Sequence, residues 1–340
     1  MKILLIGSDK VFAIENFYVK YLRKSGHTVI HYPAQSLFYD YLQRSIFNKI
    51  LFRLGYRKIY QTINKELREQ IAQINPDILF VFKGMEIFPE TLVWTKNREI
   101  KLVNYNPDNP FIFSGRGSGN KNITASISLY NIHLTYNQEV KKRIETEFNI
   151  PTGILPFGFE ISNELYNECC QEQEIIKACF IGNPDGFRAK FILQIAEGGI
   201  NLDVYGHSWS KYIQHPNINI FEPVYGIEFW KTLRKYRVQL NLMRPHNPES
   251  HNMRSFEIPG VGGIQLAPDT PDHKTYFEPG KEFFLYANID ECASQIKKLL
   301  ALKANEAMEI RGFARMRSIN SGYSYKDRTI QALEKIKTLI

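Results

Sequence analysis

The chain has 340 residues, 44% hydrophobic and 23% charged, with a formal charge of +8 and a pI near 9.1. That length suits two domains, each able to bury a core of its own, and the composition excludes a low-complexity or disordered chain. No window supplies the roughly 18 apolar residues of a membrane span, and the apolar run at residues 3–6 is too short for the core of a signal peptide. The positive charge favours anionic partners: phosphates, nucleic acid or a membrane surface.

In chain order, residues 3–6 read as a buried strand leading into the polar loop Gly7-Ser8-Asp9. A helix over 13–25 follows, closed by Gly26, and then a strand over 28–31. Residues 37–74 read as one long amphipathic helix. Strands at 78–82 and 101–105 run into the turn Lys83-Gly84 and the loop Asn106-Pro107-Asp108-Asn109-Pro110. A strand at 132–135 and a helix at 138–148 complete the first half, which ends near residues 151–158.

The second half repeats the alternation. A strand at 177–181 enters Gly182-Asn183-Pro184-Asp185-Gly186, followed by a helix at 188–198 and a strand at 202–205 closed by Gly206. A helix at 228–236, a strand at 238–242, and a helix at 255–261 ending in Gly262-Gly263 come next. Strands at 264–267 and 283–286 precede helices at 289–302, 304–318 and 326–340. Strands alternating with helices in both halves predict an α/β protein with two doubly wound sheets. Ligands bind beyond the carboxyl ends of such strands. The loops after Ile6, Tyr105, Ile181, Tyr205 and Leu242 are therefore the expected site walls.

Four segments carry groups suited to chemistry. Gly182 and Asn183 open a strand-to-helix junction that ends in Arg188. Glycines admit a close ligand, a helix N-terminus favours anions, and a guanidinium matches phosphate oxygens; an ordinary turn with a surface arginine fits the local pattern equally well. Asn252, Arg254 and Glu257 place an amide, a cation and an acid within six residues at a helix start. They suit a pyrophosphate and a ribose diol, and also plain helix capping. Asp108, in its proline-stiffened loop, suits a general base for a hydroxyl, or simple turn chemistry. Residues 37–63 interleave Arg44, Lys49, Arg53, Arg57 and Lys58 with aromatic residues, which fits an anionic bilayer, an anionic or lipid-linked acceptor, or a packed helix with a solvated basic face.

Other chemistries lack a signature. Cys169, Cys170, Cys179 and Cys292 fit neither a zinc site nor a disulfide framework and read as thiols of a reducing cytoplasm. His27, His31, His133, His207, His215, His246 and His273 form no metal-binding spacing, and no P-loop or nucleophile elbow occurs. No nucleic-acid-binding motif accompanies the positive charge.

The C-terminal motifs together resemble the CgeB-like glycosyltransferases, a family named for a spore maturation protein. The resemblance is carried by Phe180-Ile181-Gly182-Asn183 through Arg188, then Val204-Tyr205-Gly206, then Asn252-Met253-Arg254-Ser255-Phe256-Glu257-Ile258-Pro259-Gly260. It continues with Phe277-Glu278-Pro279-Gly280-Lys281-Glu282 and Tyr323-Ser324-Tyr325-Lys326-Asp327-Arg328, covering roughly residues 177–335. It implies a GT-B architecture: two Rossmann-like doubly wound domains facing each other across a cleft. An acceptor-side domain at 1–155 and a donor domain at 156–325 are expected, with a terminal helix at 326–340 crossing back onto the first. The donor implied is a nucleoside diphosphate sugar, UDP-, GDP- or dTDP-linked, with no other cofactor and no metal.

By the same resemblance Gly182, Asn183, Arg188, Asn252, Arg254 and Glu257 hold the donor, with Arg188 and Arg254 on the diphosphate and Glu257 on the ribose. Gly206, His207 and Tyr225 approach the base. Glu249 has the spacing from Glu257 of the acid pair of retaining relatives but lacks their intervening glycines, and Asp108 is the preferred base if the reaction inverts. The expected protein is a cytoplasmic glycosyltransferase acting on a saccharide, glycolipid or protein, with peripheral contact at the inner membrane face through residues 37–63 and no nucleic-acid partner. A non-catalytic nucleotide- or partner-binding protein and a sugar-nucleotide epimerase are the alternatives on the same architecture.

Overall fold

Short runs rich in Ile, Leu, Val and Phe, buried on both faces, are the raw material of parallel sheets. The computed structural model describes residues 1–113, 118–244 and 249–339; His246 lies outside them. The chain forms two compact units, residues 1–156 with 325–340, and residues 157–324.

The first unit holds six strands: β1 (Lys2–Ile6), β2 (Thr28–Tyr32), β3 (Ile78–Phe82), β4 (Lys101–Asn106), β5 (Ile132–Thr135) and β6 (Thr152–Ile154). They pair in the order β2-β1-β3-β4-β5-β6, and every pairing is parallel. β3 is buried at all five positions. The last helix, Tyr325–Lys337, belongs to this unit and packs on the helix Ile14–Lys24, where Phe17 and Tyr325 stack at 4.9 Å.

The second unit holds β7 (Ile175–Ile181), β8 (Leu202–Tyr205), β9 (Ile218–Phe221), β10 (Tyr236–Leu240), β11 (Gln265–Pro268) and β12 (Phe284–Tyr286). They pair in parallel in the order β12-β11-β10-β7-β8-β9. Read from β9, this is the doubly wound dinucleotide-fold order, whose direction reverses between β7 and β10. In the first unit the reversal lies between β1 and β3. The two Rossmann-like units make a GT-B fold.

Several boundaries differ from the sequence reading. The single helix expected over 37–74 is three helices, Ala34–Arg44, Ile46–Arg53 and Lys58–Ile74. Ser45 takes extended backbone and caps the second by accepting the Phe47 N–H at 3.0 Å; Gly55, in the left-handed region at φ +95°, separates the second from the third. The edge strands β6 and β9 and the helix Asn163–Cys170 were not foreseen. β10 begins at Tyr236 and ends at Leu240, so Asn241 and Leu242 belong to the loop that follows it.

A buried charge network closes the amino end of the second sheet. Arg237 on β10 donates from Nε and Nη2 to the two oxygens of Glu174, at 2.7 and 2.5 Å. Arg311, from the helix Ala304–Asn320, donates to Glu174 at 2.9 Å and to the carbonyls of Arg234, Tyr236 and Gly262. Hydrogen bonds from Arg237, with Arg311 adding to them, hold the Glu174 carboxyl down at about 2. A lowered folded-state pKa stabilises above the unfolded value and is lost as pH falls through the folded one. Glu174→Gln, which leaves both guanidiniums buried without a carboxylate, is expected to cost about 3–5 kcal/mol at neutral pH. In urea unfolding, the gap from wild type should narrow below the ordinary carboxylate range and close towards pH 2.

Candidate functional site

The carboxyl ends of β7, β8 and β10 bring together most of the predicted donor-side residues. Gly182 follows β7 and Gly206 follows β8, and the two loops meet closely. A Cβ on Gly206 would lie 2.3 Å from the Gly182 carbonyl oxygen, which itself accepts from Trp209 Nε1 at 2.9 Å. Only glycine allows this approach. Asn183 ties the loops from outside, accepting the His207 N–H at 3.0 Å. His207 Nε2 lies 3.1 Å from the Tyr225 hydroxyl, and Tyr225 is half exposed, so this pair forms a polar rim at the end of β8.

Arg188 spans the topological reversal of the sheet. Asp185 caps the helix Gly186–Glu197 by accepting the Arg188 N–H at 2.9 Å. The guanidinium donates to the Asn183 carbonyl beyond β7 at 3.2 Å and to the Leu242 carbonyl beyond β10 at 2.9 Å. Its Nε is buried and has no hydrogen-bond partner, with the Asp185 carboxylate 3.7 Å away. Burial is the main reason its pKa falls to about 10, followed by repulsion from Arg244 and then Arg254. The Arg188 and Arg254 guanidiniums thus both reach carbonyls at the end of β7, and Arg244 is near enough to repel Arg188.

Arg254 opens the helix Arg254–Gly260. It donates to Glu257 one turn later and, from Nε, to the Ile181 carbonyl at 3.4 Å, and its guanidinium lies over the Phe229 ring, 4.4 Å from the centroid. Glu257 is buried. Asn252 accepts the Ser255 N–H at 3.2 Å and donates to Asn241 at 2.7 Å, so it caps the helix start and ties it to the loop after β10.

Behind these residues lies a buried polar network. Burial lowers the His273 imidazole to about 4, so the ring is neutral. Its Nδ1 lies 2.8 Å from the Pro268 carbonyl, which can only accept; Nδ1 therefore carries the proton, and Nε2 accepts from the Ser255 hydroxyl at 2.9 Å. The Ser255 oxygen in turn accepts from Asn241 Nδ2 and the Asn252 N–H, each at 3.1 Å. This chain fixes the turn that presents Arg254 and Glu257. His251 is buried with Nδ1 2.7 Å from Asp272.

Glu249 is exposed and holds left-handed backbone at φ +58°.

In the first unit the loops after β1, β3 and β4 hold a second polar cluster. Asp108 is ion-paired with Lys83, Nζ to Oδ2 at 2.5 Å, and its side chain is 30% exposed. Lys83 sits in the left-handed region at φ +61°, followed by Gly84 at φ +96°, an uncommon state for a lysine that the surroundings must hold. The Lys83 carbonyl accepts from Asn104, and the Met85 carbonyl from Asn120 and Asn122; the Glu86 carbonyl accepts from Asn64. Glu86 is buried, its Oε1 lacks a hydrogen-bond partner, and burial pushes its carboxyl up to about 7. Glu15, also buried and also raised by burial, accepts the Ser8 N–H at 3.0 Å. Asn106 Nδ2 is likewise buried without a partner.

Sequence reasoning gave a role to Asp108 but none to Lys83, Glu86, Glu15, Arg244, Ser255 or His273. A basic residue just past a buried strand end, as at Lys83 and Arg244, was an available signal. Nothing local marked Glu86 or Glu15, because their burial arises from other segments.

Residues 188–334, somewhat less than half the chain, match the model of a family described as glycosyl transferase-like. No curated protein matches by sequence. Among solved structures, sucrose-phosphate synthase from Thermosynechococcus elongatus superposes with a TM-score of 0.68 at 9% identity, over 100% of this chain and 99% of that one. The Anabaena protein HepE in complex with UDP-glucose gives 0.65 at 12%, over 99% and 100%. The UDP-GlcNAc 2-epimerase of Neisseria meningitidis, bound to UDP-GlcNAc, gives 0.60 at 14%, over 99% and 100%.

Residues 188–334 thus carry a glycosyl transferase-like match on a chain with the GT-B fold. The structural likeness shows the fold, which transferases and an epimerase share; the glycosyl transferase-like match covers most of the second unit and part of the last helix. The matched region opens at Arg188, the residue that bridges β7 and β10.

The Gly206 approach gives a direct test. Gly206→Ala should force the two loops apart and cost about 1–3 kcal/mol of stability. Thermal unfolding would read that loss, and nucleotide binding measured on the folded fraction should weaken with it.

Proposed function

We propose that this chain is a glycosyltransferase that takes its sugar from a nucleoside diphosphate sugar held on the second unit and passes it to a hydroxyl of a saccharide, glycolipid or protein recognised on the first. We place it with the CgeB-like enzymes. The observation that carries the donor reading is the closeness of Arg244 and Arg254 to Arg188 at the strand reversal, where the charge of Arg188 is opposed by burial and by its two neighbours. A dianionic diphosphate relieves that repulsion. The family match supports the same reading, and the sugar nucleotides bound by HepE and by the Neisseria epimerase make UDP sugars the first donors to test.

In this reading Arg254 exchanges its bond to Glu257 for the diphosphate, and the released carboxylate accepts from the ribose diol. The His207–Tyr225 rim, with Gly182, Asn183 and Gly206, borders the base, and Asn252 keeps the Arg254 turn in place. As the acceptor oxygen bonds to the anomeric carbon, the bond from that carbon to the diphosphate oxygen breaks. Negative charge grows on the leaving diphosphate and the guanidiniums stabilise it. The acceptor proton goes to Asp108, whose carboxylate is oriented by Lys83 and reachable from solvent. Glu86, buried behind Lys83, is a positioning residue.

Two measurements test these assignments. In a thermal-shift screen against nucleoside diphosphates and their sugars, one nucleotide should raise the melting temperature of wild type, and Glu257→Ala should abolish that shift. A shift unchanged in the variant would remove Glu257 from the site. Conversion of a donor to its epimer with no acceptor present would replace transfer by epimerisation.

Asp108→Asn should keep the nucleotide shift and lower transfer by about 100-fold or more. Glu86→Gln separates position from chemistry. Because the folded-state pKa of Glu86 is raised to about 7, stability is lost as pH rises through 7. The glutamine variant should therefore be more stable than wild type by about 2–3 kcal/mol at pH 8 and indistinguishable below the ordinary carboxylate range.

A further inference from the structure

The basic, aromatic segment singled out in the sequence is not used by the donor or acceptor sites. Its helix Ile46–Arg53 has no buried residue. Ile46 is 76% exposed, Phe47 64%, Ile50 45% and Leu54 70%. At about 100° per residue these four positions fall within roughly one quarter to one third of the helix circumference. They form a continuous apolar stripe. Phe52 falls on the opposite side and is the anchor: its ring lies 4.9 Å from Phe38 and 5.4 Å from Tyr60, against the core of the first unit. The helix is thus held by its back while its apolar front faces solvent.

Its charge is equally one-sided. No Asp or Glu occurs between Asp40 and Glu66, whereas Arg44, Lys49, Arg53, Arg57 and Lys58 are all exposed. Arg44, Lys49, Arg53 and Lys58 take part in no ion pair among the described residues. Lys49 and Arg53 lie one turn apart along one edge of the stripe. An exposed apolar stripe bordered by unpaired cations combines acyl-chain contact with attraction to anionic headgroups. Soluble monomers seldom leave so contiguous an apolar surface uncovered.

We propose that the helix Ile46–Arg53 and the turn after it form a docking surface for an anionic phospholipid bilayer, with Ile46, Phe47, Ile50 and Leu54 entering the headgroup boundary and Lys49 and Arg53 pairing with lipid phosphates. No helix among the described residues is long and apolar enough to cross a membrane, so this contact lies on the surface rather than through it. The inference stands apart from the transfer reaction and does not depend on it.

The test is co-sedimentation of the full chain with vesicles of phosphatidylcholine alone and of phosphatidylcholine mixed with phosphatidylglycerol. The protein should sediment with the mixed vesicles, not with the neutral ones, and should be released by high salt. Two exposed double variants separate the contributions. Phe47→Ser with Leu54→Ser keeps the charge, and Lys49→Glu with Arg53→Glu keeps the stripe; each should weaken binding about tenfold or more with an unchanged melting temperature. Failure of wild type to bind the mixed vesicles would overturn the proposal. So would equal binding to both vesicle types with no effect of charge reversal. Sedimentation velocity supplies the last arm: a dimer abolished by Phe47→Ser with Leu54→Ser would assign the stripe to a second copy of the chain instead.

Discussion

Parallel pairing is the constraint on which both units depend. When every strand runs the same way, every strand-to-helix loop emerges at one edge of the sheet, and the winding must reverse somewhere along it. At the reversal two adjacent loops diverge and leave a crevice that no crossover fills. In the second unit this falls between β7 and β10, and Arg188 crosses it, bound to a carbonyl on each side. In the first unit it falls between β1 and β3, where Glu15, Lys83 and Glu86 collect.

The two crevices differ in charge, and in the proposed reaction the difference suits two substrates. Guanidiniums dominate the second, with buried carbonyls and a neutral histidine network holding them in place. The first holds buried carboxyls around one lysine and one reachable aspartate. An anionic leaving group and an uncharged hydroxyl make these opposite demands: the first needs fixed positive charge, the second a group able to accept a proton. Neither environment is favourable for folding by itself. An arginine near like charges and a glutamate buried with an unpaired oxygen both cost stability, which the apolar cores beneath the sheets and the Glu174 network offset.

The residues of the proposed donor site are positioned by different physics. Gly182 and Gly206 act by what they lack, since a side chain at Gly206 would occupy the space of the facing carbonyl. Asn252 and Ser255 act through hydrogen bonds that pass to His273 and end on the Pro268 carbonyl. Arg254 and Glu257 face each other at one helical turn, so each neutralises the other.

Much of this was legible in the sequence, because local patterns carry it. Apolar runs of four or five residues separated by amphipathic segments give parallel strands and crossover helices, and the ordered C-terminal motifs placed Gly182, Arg188, Arg254 and Glu257 at strand ends and a helix start. Edge strands escaped because β6 is three residues long and β9 is largely exposed, leaving little apolar signal. The helix over 37–74 was overextended because amphipathic periodicity continues through Ser45 and Gly55 while the backbone does not. Only the tertiary structure paired Asp108 with Lys83, buried Glu86 and Glu15, brought Arg244 close enough to repel Arg188, and turned the stripe at Ile46, Phe47, Ile50 and Leu54 outward. The physical reason is that burial and charge environment are set by segments distant in the chain, whereas strand, helix and turn propensity reside in the neighbours of each residue.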